Sequence, residues 1–234
     1  MDRSYFINKE SLNIFCDAST RSRGSNIDVC YGALAVHMND VVDQVARVNS
    51  NSTNNNAEIK AIRSAIMIAL KHREEYKVIN IFSDSQVSLF GIRDRIFSWK
   101  YNEKENVLYG YGSAIKSQDV FLDILNIIVS HNLAVNFYHQ KAHVYTGRLL
   151  DLKSAAKVFM ASNGIREKID YNLIRYISDY NNKIDAMTRK LLLSTDTIDK
   201  QFIEPIKFGS IDFYSQVNQY NNIIMEGKKN GQIK

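Results

Sequence analysis

Leu12-Asn13-Ile14-Phe15-Cys16-Asp17-Ala18 is an apolar run that closes on a carboxylate. Its β-prone residues and the polar turn residues that follow predict a strand, with Asp17 at its end. A lone carboxylate in such a setting is costly, so it must shift its pKa, find a partner or hold a metal. Three more acids occupy comparable positions: Glu58 at the start of an amphipathic helix, Asp84 just after a compact apolar strand, and Asp185 on a late helix.

Working outward, the segments 28–37 and 40–48 read as two further strands, rich in Val and set off by Gly, Ser, Asn and Asp, so that the first three strands form an antiparallel meander. A polar loop over 50–56 leads into a helix in which Ala57, Ala61, Ile62, Ala65, Ile66, Ala69 and Leu70 recur at helical spacing. Lys77 to Phe82 is a strand, and Ser83-Asp84-Ser85 can cap a helix from Gln86 to Trp99. A loop over 100–106, a helix from Asp119 to Ser130 and a strand from Ala134 to Tyr138 follow. This order predicts an α/β fold: a mixed sheet whose parallel strands keep sites at their carboxyl ends, with helices on its faces.

Beyond Thr146, helical periodicity runs through Leu149, Leu150, Leu152, Ala155, Ala156 and Phe159, breaks at Asn163-Gly164, and resumes from about Asp170 to Leu193. On that last helix Asn181, Asp185 and Thr188 share one face. The segment 227–234 reads as a frayed basic tail.

The chain has 234 residues and 45% hydrophobic content, enough for a real core. It lacks the roughly 18 unbroken apolar residues of a membrane span, and its first ten residues have no apolar signal core, so a soluble cytoplasmic protein is expected. Cys16 and Cys30 lie within strands without ligand spacing; small buried apolar residues are the simpler reading, a disulfide between neighbouring strands the other. His37, His72, His131 and His139 show no ligand spacing and read as surface or edge residues. A net charge of +5 and pI near 9.0 suit a polyanionic partner.

Four carboxylates of this kind suit two magnesium ions, which take oxygen ligands and compensate charge on both oxygens of a phosphodiester under attack. The residues around them resemble type 1 ribonuclease H: Asp17-Ala-Ser-Thr, Tyr31-Gly-Ala, Thr53-Asn-Asn-Asn-Ala-Glu58, Ser83-Asp84-Ser85-Gln86-Val87 and Asn181-Asn-Lys-Ile-Asp185, in the family's order. The resemblance implies a ribonuclease-H-like fold, with a mixed five-stranded sheet of three antiparallel strands followed by parallel ones and helices on both faces. It implies Asp17, Glu58, Asp84 and Asp185 as ligands of two Mg2+ ions, for which Mn2+ can substitute. It further implies hydrolysis of the RNA strand of RNA-DNA hybrids, leaving 5'-phosphate and 3'-hydroxyl ends. The same likeness makes Asn54, Asn55 and Gln86 contacts in the minor groove, where the 2'-hydroxyl marks RNA. It makes Arg93, Arg95, Lys100 and Lys104 phosphate contacts, and Trp99 a stacking surface. His143, in Lys141-Ala-His143, matches the family's Lys-Gly-His as a helper near the metals.

A catalytic domain over 1–193 is thus expected, with a helical insertion at about 148–177 and a partly disordered extension over 194–234. No membrane, no small-molecule cofactor and a monomeric state are expected. Two competing functions stay open: a catalytically weak nucleic-acid-binding protein with the same fold, and another nuclease of the wider superfamily.

Overall fold

A computed structural model describes residues 6–23, 26–50, 52–144, 149–194 and 212–233. Strands β1 (Ser11–Arg23), β2 (Asn26–His37), β3 (Asp40–Asn49), β4 (Val78–Ser83) and β8 (Asn136–His139) form one sheet in the order β3-β2-β1-β4-β8. The first three pair antiparallel, while β1 with β4 and β4 with β8 pair parallel. This is the mixed five-stranded sheet that the sequence predicts.

Strand alternation divides the apolar residues between two faces. Leu12, Ile14 and Cys16 of β1 face α1 (Asn54–Lys71), α3 (Gln118–Ser130) and α6 (Phe213–Lys229) over a mostly aliphatic core. Phe15, Leu34 and Phe82 face α4 (Leu149–Ser162) and α5 (Tyr171–Ser194) over a core of stacked rings. Ala57, Ala61, Ala65 and Ala69 let α1 lie close on β1 and β2. Both cysteines are buried and free.

The edge strand β8 is closed by side chains rather than by another strand. The Asn163 amide accepts from His139 N at 2.9 Å and donates to His139 O at 2.7 Å, and Arg93 donates to Phe137 O. Capping of this sort removes the unpaired donors and acceptors that invite edge-to-edge association.

Three readings need correction. The helix expected over 86–99 ends early: α2 spans Gln86–Arg93, a 3-10 turn spans Arg95–Ser98, and Trp99 leaves it in extended conformation. The turn lets the Trp99 indole meet Phe121 edge-on at 4.9 Å, against Gly91, where a side chain would strike the Phe121 ring. The expected loop after it is a small sheet of β5 (Lys100–Asn102), β6 (Val107–Gly110) and β7 (Ser113–Ala114), whose strands are too short to show a period. The expected frayed tail is folded: Gly227 is buried in the last turn of α6, Ile233 lies over it, and Asn136 donates to Gln232 O at 2.9 Å. The start of the insertion at Arg148, residues 195–211 of the extension, and Lys234 lie outside the described residues. Among the described residues no helix is long and apolar enough to cross a membrane.

Candidate metal centre

The site opens where two strands part. Pairing between β1 and β4 ends at Phe15 with Phe82, whose rings stack at 4.8 Å and 13°, while β1 runs on beside β2 alone. Asp17 and Asp84 each lie two residues beyond that pair, above its floor. Asp17 is therefore not at the end of its strand, as its run suggests, but inside it at the end of its pairing with β4. Glu58 reaches the same place from the first turns of α1, whose start is fixed by Thr53: the Thr53 hydroxyl accepts from Asn56 N at 3.2 Å.

Each of Asp17, Glu58 and Asp84 brings a carboxylate oxygen within 4.8 Å of the other two. Burial, reinforced by the charge of Asp84, pushes Asp17 up to about 8. Burial, with the charges of Asp17 and Asp84, pushes Glu58 up to about 9. Asp84 is raised too, mainly by burial, against the opposing pull of His143 and a hydrogen bond from Asn181. Glu58 Oε2 is buried with no hydrogen-bond partner. Three oxygen donors with an orphaned lone pair among them form a donor set suited to a hard divalent cation.

The fourth acid stands apart. Asp185, on α5, acts electrostatically on Asp17 and Asp84 but belongs to no three-acid group with them; both its oxygens lie 3.0 Å from the Arg189 guanidinium. His143 is exposed, beside Asp84, in the left-handed region at φ 51°. That conformation is uncommon for a non-glycine residue. Its loop is tied down on both sides: Lys141 donates to Ser154 on α4, and Asn182 on α5 donates to Val144 O.

Asn54 and Asn55 are exposed in the first turn of α1, and Asn54 also bonds Glu58. Gln86 is exposed at the start of α2, and Lys100 at the start of β5. Two expected contacts fall away. Trp99 is only 5% exposed, so it offers no stacking surface. Arg93 spends its donors on Asp94, Asn163, Phe137 O and Ser162 O, which makes it a staple between α2, β8 and the end of α4 rather than a phosphate contact.

Other residues that matter here were not read as site residues. Asn181 is buried and bonds Asp84, and Gln140 in turn donates to Asn181. Its spacing four residues before Asp185 was the available signal. His139, expected at a surface or edge, is buried between Ser162 and Asp84 O. His72 is likewise buried, between Asp43 and Glu75.

A profile of the family described as RNase H matches residues 9–149. Among solved structures, the chain is similar to the RNase H domain of Prototype Foamy Virus, with 17% identity, coverage of 68% of this chain and 96% of that one, and a TM-score of 0.48. It is also similar to LC11-RNase H1 in complex with an RNA/DNA hybrid, with 14% identity, coverage of 56% and 86%, and a TM-score of 0.41. For RNase H1 of the archaeon Halobacterium salinarum the corresponding values are 15%, 65% and 98%, and 0.38. No curated protein matches the chain significantly.

Proposed function

Because the chain belongs to the RNase H family, we propose that it is a divalent-metal-dependent endoribonuclease that hydrolyses the RNA strand of RNA-DNA hybrids, leaving 5'-phosphate and 3'-hydroxyl ends. The observation that carries this reading is the convergence of Asp17, Glu58 and Asp84 within 4.8 Å, with Glu58 Oε2 buried and unpartnered. These three would hold Mg2+, with Asp185 completing a two-ion site. Bound there, the cations supply charge compensation for the attacking and leaving oxygens of a phosphodiester.

The chain's own residues set up that site. Asn181 orients Asp84, and Asn54 orients Glu58 while standing with Asn55 and Gln86 on the exposed rim. From the rim their amides can reach the 2'-hydroxyl side of a hybrid. His143, exposed beside Asp84, is placed to move a proton at the departing product or to help release it. Exposed Lys100, at the start of β5, offers a phosphate contact.

The test is cleavage of an end-labelled hybrid against duplex RNA, duplex DNA and single strands, in Mg2+, in Mn2+ and in EDTA. Cutting of the hybrid's RNA strand alone, lost in EDTA and in Asp84→Asn with hybrid binding retained, is expected. Metal-dependent activity surviving in Asp84→Asn would overturn the carboxylate assignment. The Asp185–Arg189 ion pair favours one second reading, a hybrid-binding protein with weak catalysis. Binding without cutting in the wild-type chain, with Arg189→Ala gaining activity, would establish it.

A further inference from the structure

A cavity of about 490 Å³ lies along α1, between that helix, the β2–β3 part of the sheet and the start of α3. Its volume falls within the range of small-molecule sites, about 300 to 1,000 Å³. Asn56, Lys60, Ser64, Met67 and Lys71 follow one another at three- and four-residue spacing on one stripe of α1, and all but Asn56 line this cavity. Beyond its end, Asn56 donates to Ser117 at 2.8 Å, joining the first turn of α1 to the start of α3.

The charges of the cavity are unequally used. Arg63 is ion-paired with Asp123, and Lys71 with Asp43 at 2.7 Å. Lys60 and Arg47 have no ion-pair partner among the described residues. The Lys60 ammonium sits 5.9 Å from the centre of the Tyr31 ring, and Arg47 lies opposite Tyr31 in the β2–β3 register. Lys60 is half-buried and Arg47 exposed at the cavity, and an incoming anion would pair with both, competing with Asp119 for Lys60. Behind them the walls are apolar, formed by Val45, Met67, Ile68 and Val120, with the Asp119 carboxylate as a hydrogen-bond acceptor at the margin.

We infer that this cavity binds one nucleoside monophosphate unit, with its phosphate on Lys60 and Arg47 and its base against Val45, Met67 and Val120. A bare phosphate would leave the apolar walls unused; a base and sugar supply an apolar face for them together with amino or hydroxyl donors for Asp119 at the margin. The occupant has two sources: a free mononucleotide, or an unpaired terminal nucleotide of a strand held at the metal centre. The second source rests on the proposed function, whereas the first does not.

The test is titration of the full chain in EDTA with 5'-AMP and 5'-UMP, and with inorganic phosphate and octanoate as the two halves of the ligand taken separately. Saturable binding of a nucleotide at least about tenfold tighter than either control, weakened about tenfold by Lys60→Gln and by Arg47→Gln, is expected. Asp84→Asn should leave that binding unchanged, which separates the cavity from the metal centre. A second arm compares blunt hybrid with hybrid carrying a one-nucleotide overhang, in Ca2+ to prevent cutting. Overhang-dependent affinity lost in Lys60→Gln assigns the terminal nucleotide as the source, and equal affinities assign the free nucleotide. Nucleotide binding no tighter than phosphate, or octanoate binding best, would overturn the inference even if hybrid cleavage is observed.

Discussion

The two faces of the sheet bury chain by different means. Under α1, α3 and α6 lies the larger core, built mostly from Ile, Leu, Val and Ala, with side chains that interlock along the helices. Under α4 and α5 it is built from rings: Phe82 lies within 6.4 Å of Phe6, Phe15, Tyr138 and Phe159, and Phe15 stacks on Tyr180 at 5.4 Å. Ring packing is directional, since offset and edge-on arrangements are preferred, and it fixes how α5 lies on β1 more narrowly than aliphatic contact would. Asp17 projects to this second face, and α5 brings Asn181 and Asp185 to it. The aromatic face therefore aligns α5 against Asp17, while the aliphatic face, through α1, supplies Glu58.

The sharpest way to break that comparison is to remove α4. Leu152, Ala155, Ala156 and Phe159 are buried in the aromatic core, so the insertion supplies one wall of it. Deleting 149–165 and rejoining the chain through a flexible linker is expected to abolish cooperative unfolding in a thermal melt, with loss of activity. A cooperative, active deletion variant would show that the ring stack closes without α4. A smaller change separates the faces directly. Phe159→Ala should cost about 3 to 5 kcal/mol and Ile128→Ala, on the aliphatic face, about 2 to 5 kcal/mol, read from denaturant unfolding. Activity per folded molecule should fall several-fold in Phe159→Ala alone, because only there does the loosened packing reach α5. Equal loss in both variants would remove the distinction.

What could be seen in the chain follows from the range of the interactions. Asp17, Glu58 and Asp84 stand out because each is an acid beside a locally legible apolar run, and the same local patterns give the order of strands and helices. The five-stranded sheet followed from that order. Trp99 and Arg93 were misread because their burial is decided at a distance: Phe121 meets the indole, and Asn163 with Ser162 takes up the guanidinium. Type and neighbours make a tryptophan beside lysines look like a stacking surface; only packing shows that it is a floor. Asn181 was visible as a position on a polar stripe, yet its approach to Asp84 depends on how α5 lies across β1 and β2. The pairing of Asp185 with Arg189 lay within one helix at four-residue spacing and could have been read from the sequence.

The last comparison concerns the acids where the two faces meet, and its sign follows from their protonation. Folding raises Asp17 to about 8 and Glu58 to about 9, by burial first and by neighbouring charge second, whereas in the unfolded chain both titrate near the ordinary carboxylate values of about 4. Between those limits the folded state holds protons that the unfolded state has released, so stability must fall as pH rises from about 4 and level off above about 9. In EDTA the melting temperature should therefore drop by several degrees between pH 5 and pH 9, with Mg2+ flattening the decline by compensating the ionised acids. Asp84→Asn removes one of the charges that raise the other two at nearly constant volume, so its decline should be shallower than that of the wild-type chain. The difference between the two chains cancels the titrations of groups that do not interact with Asp84. A difference that stays constant across the range, or a variant that declines more steeply, would mean that the three carboxylates do not share one buried field, and the metal centre would lose its physical basis.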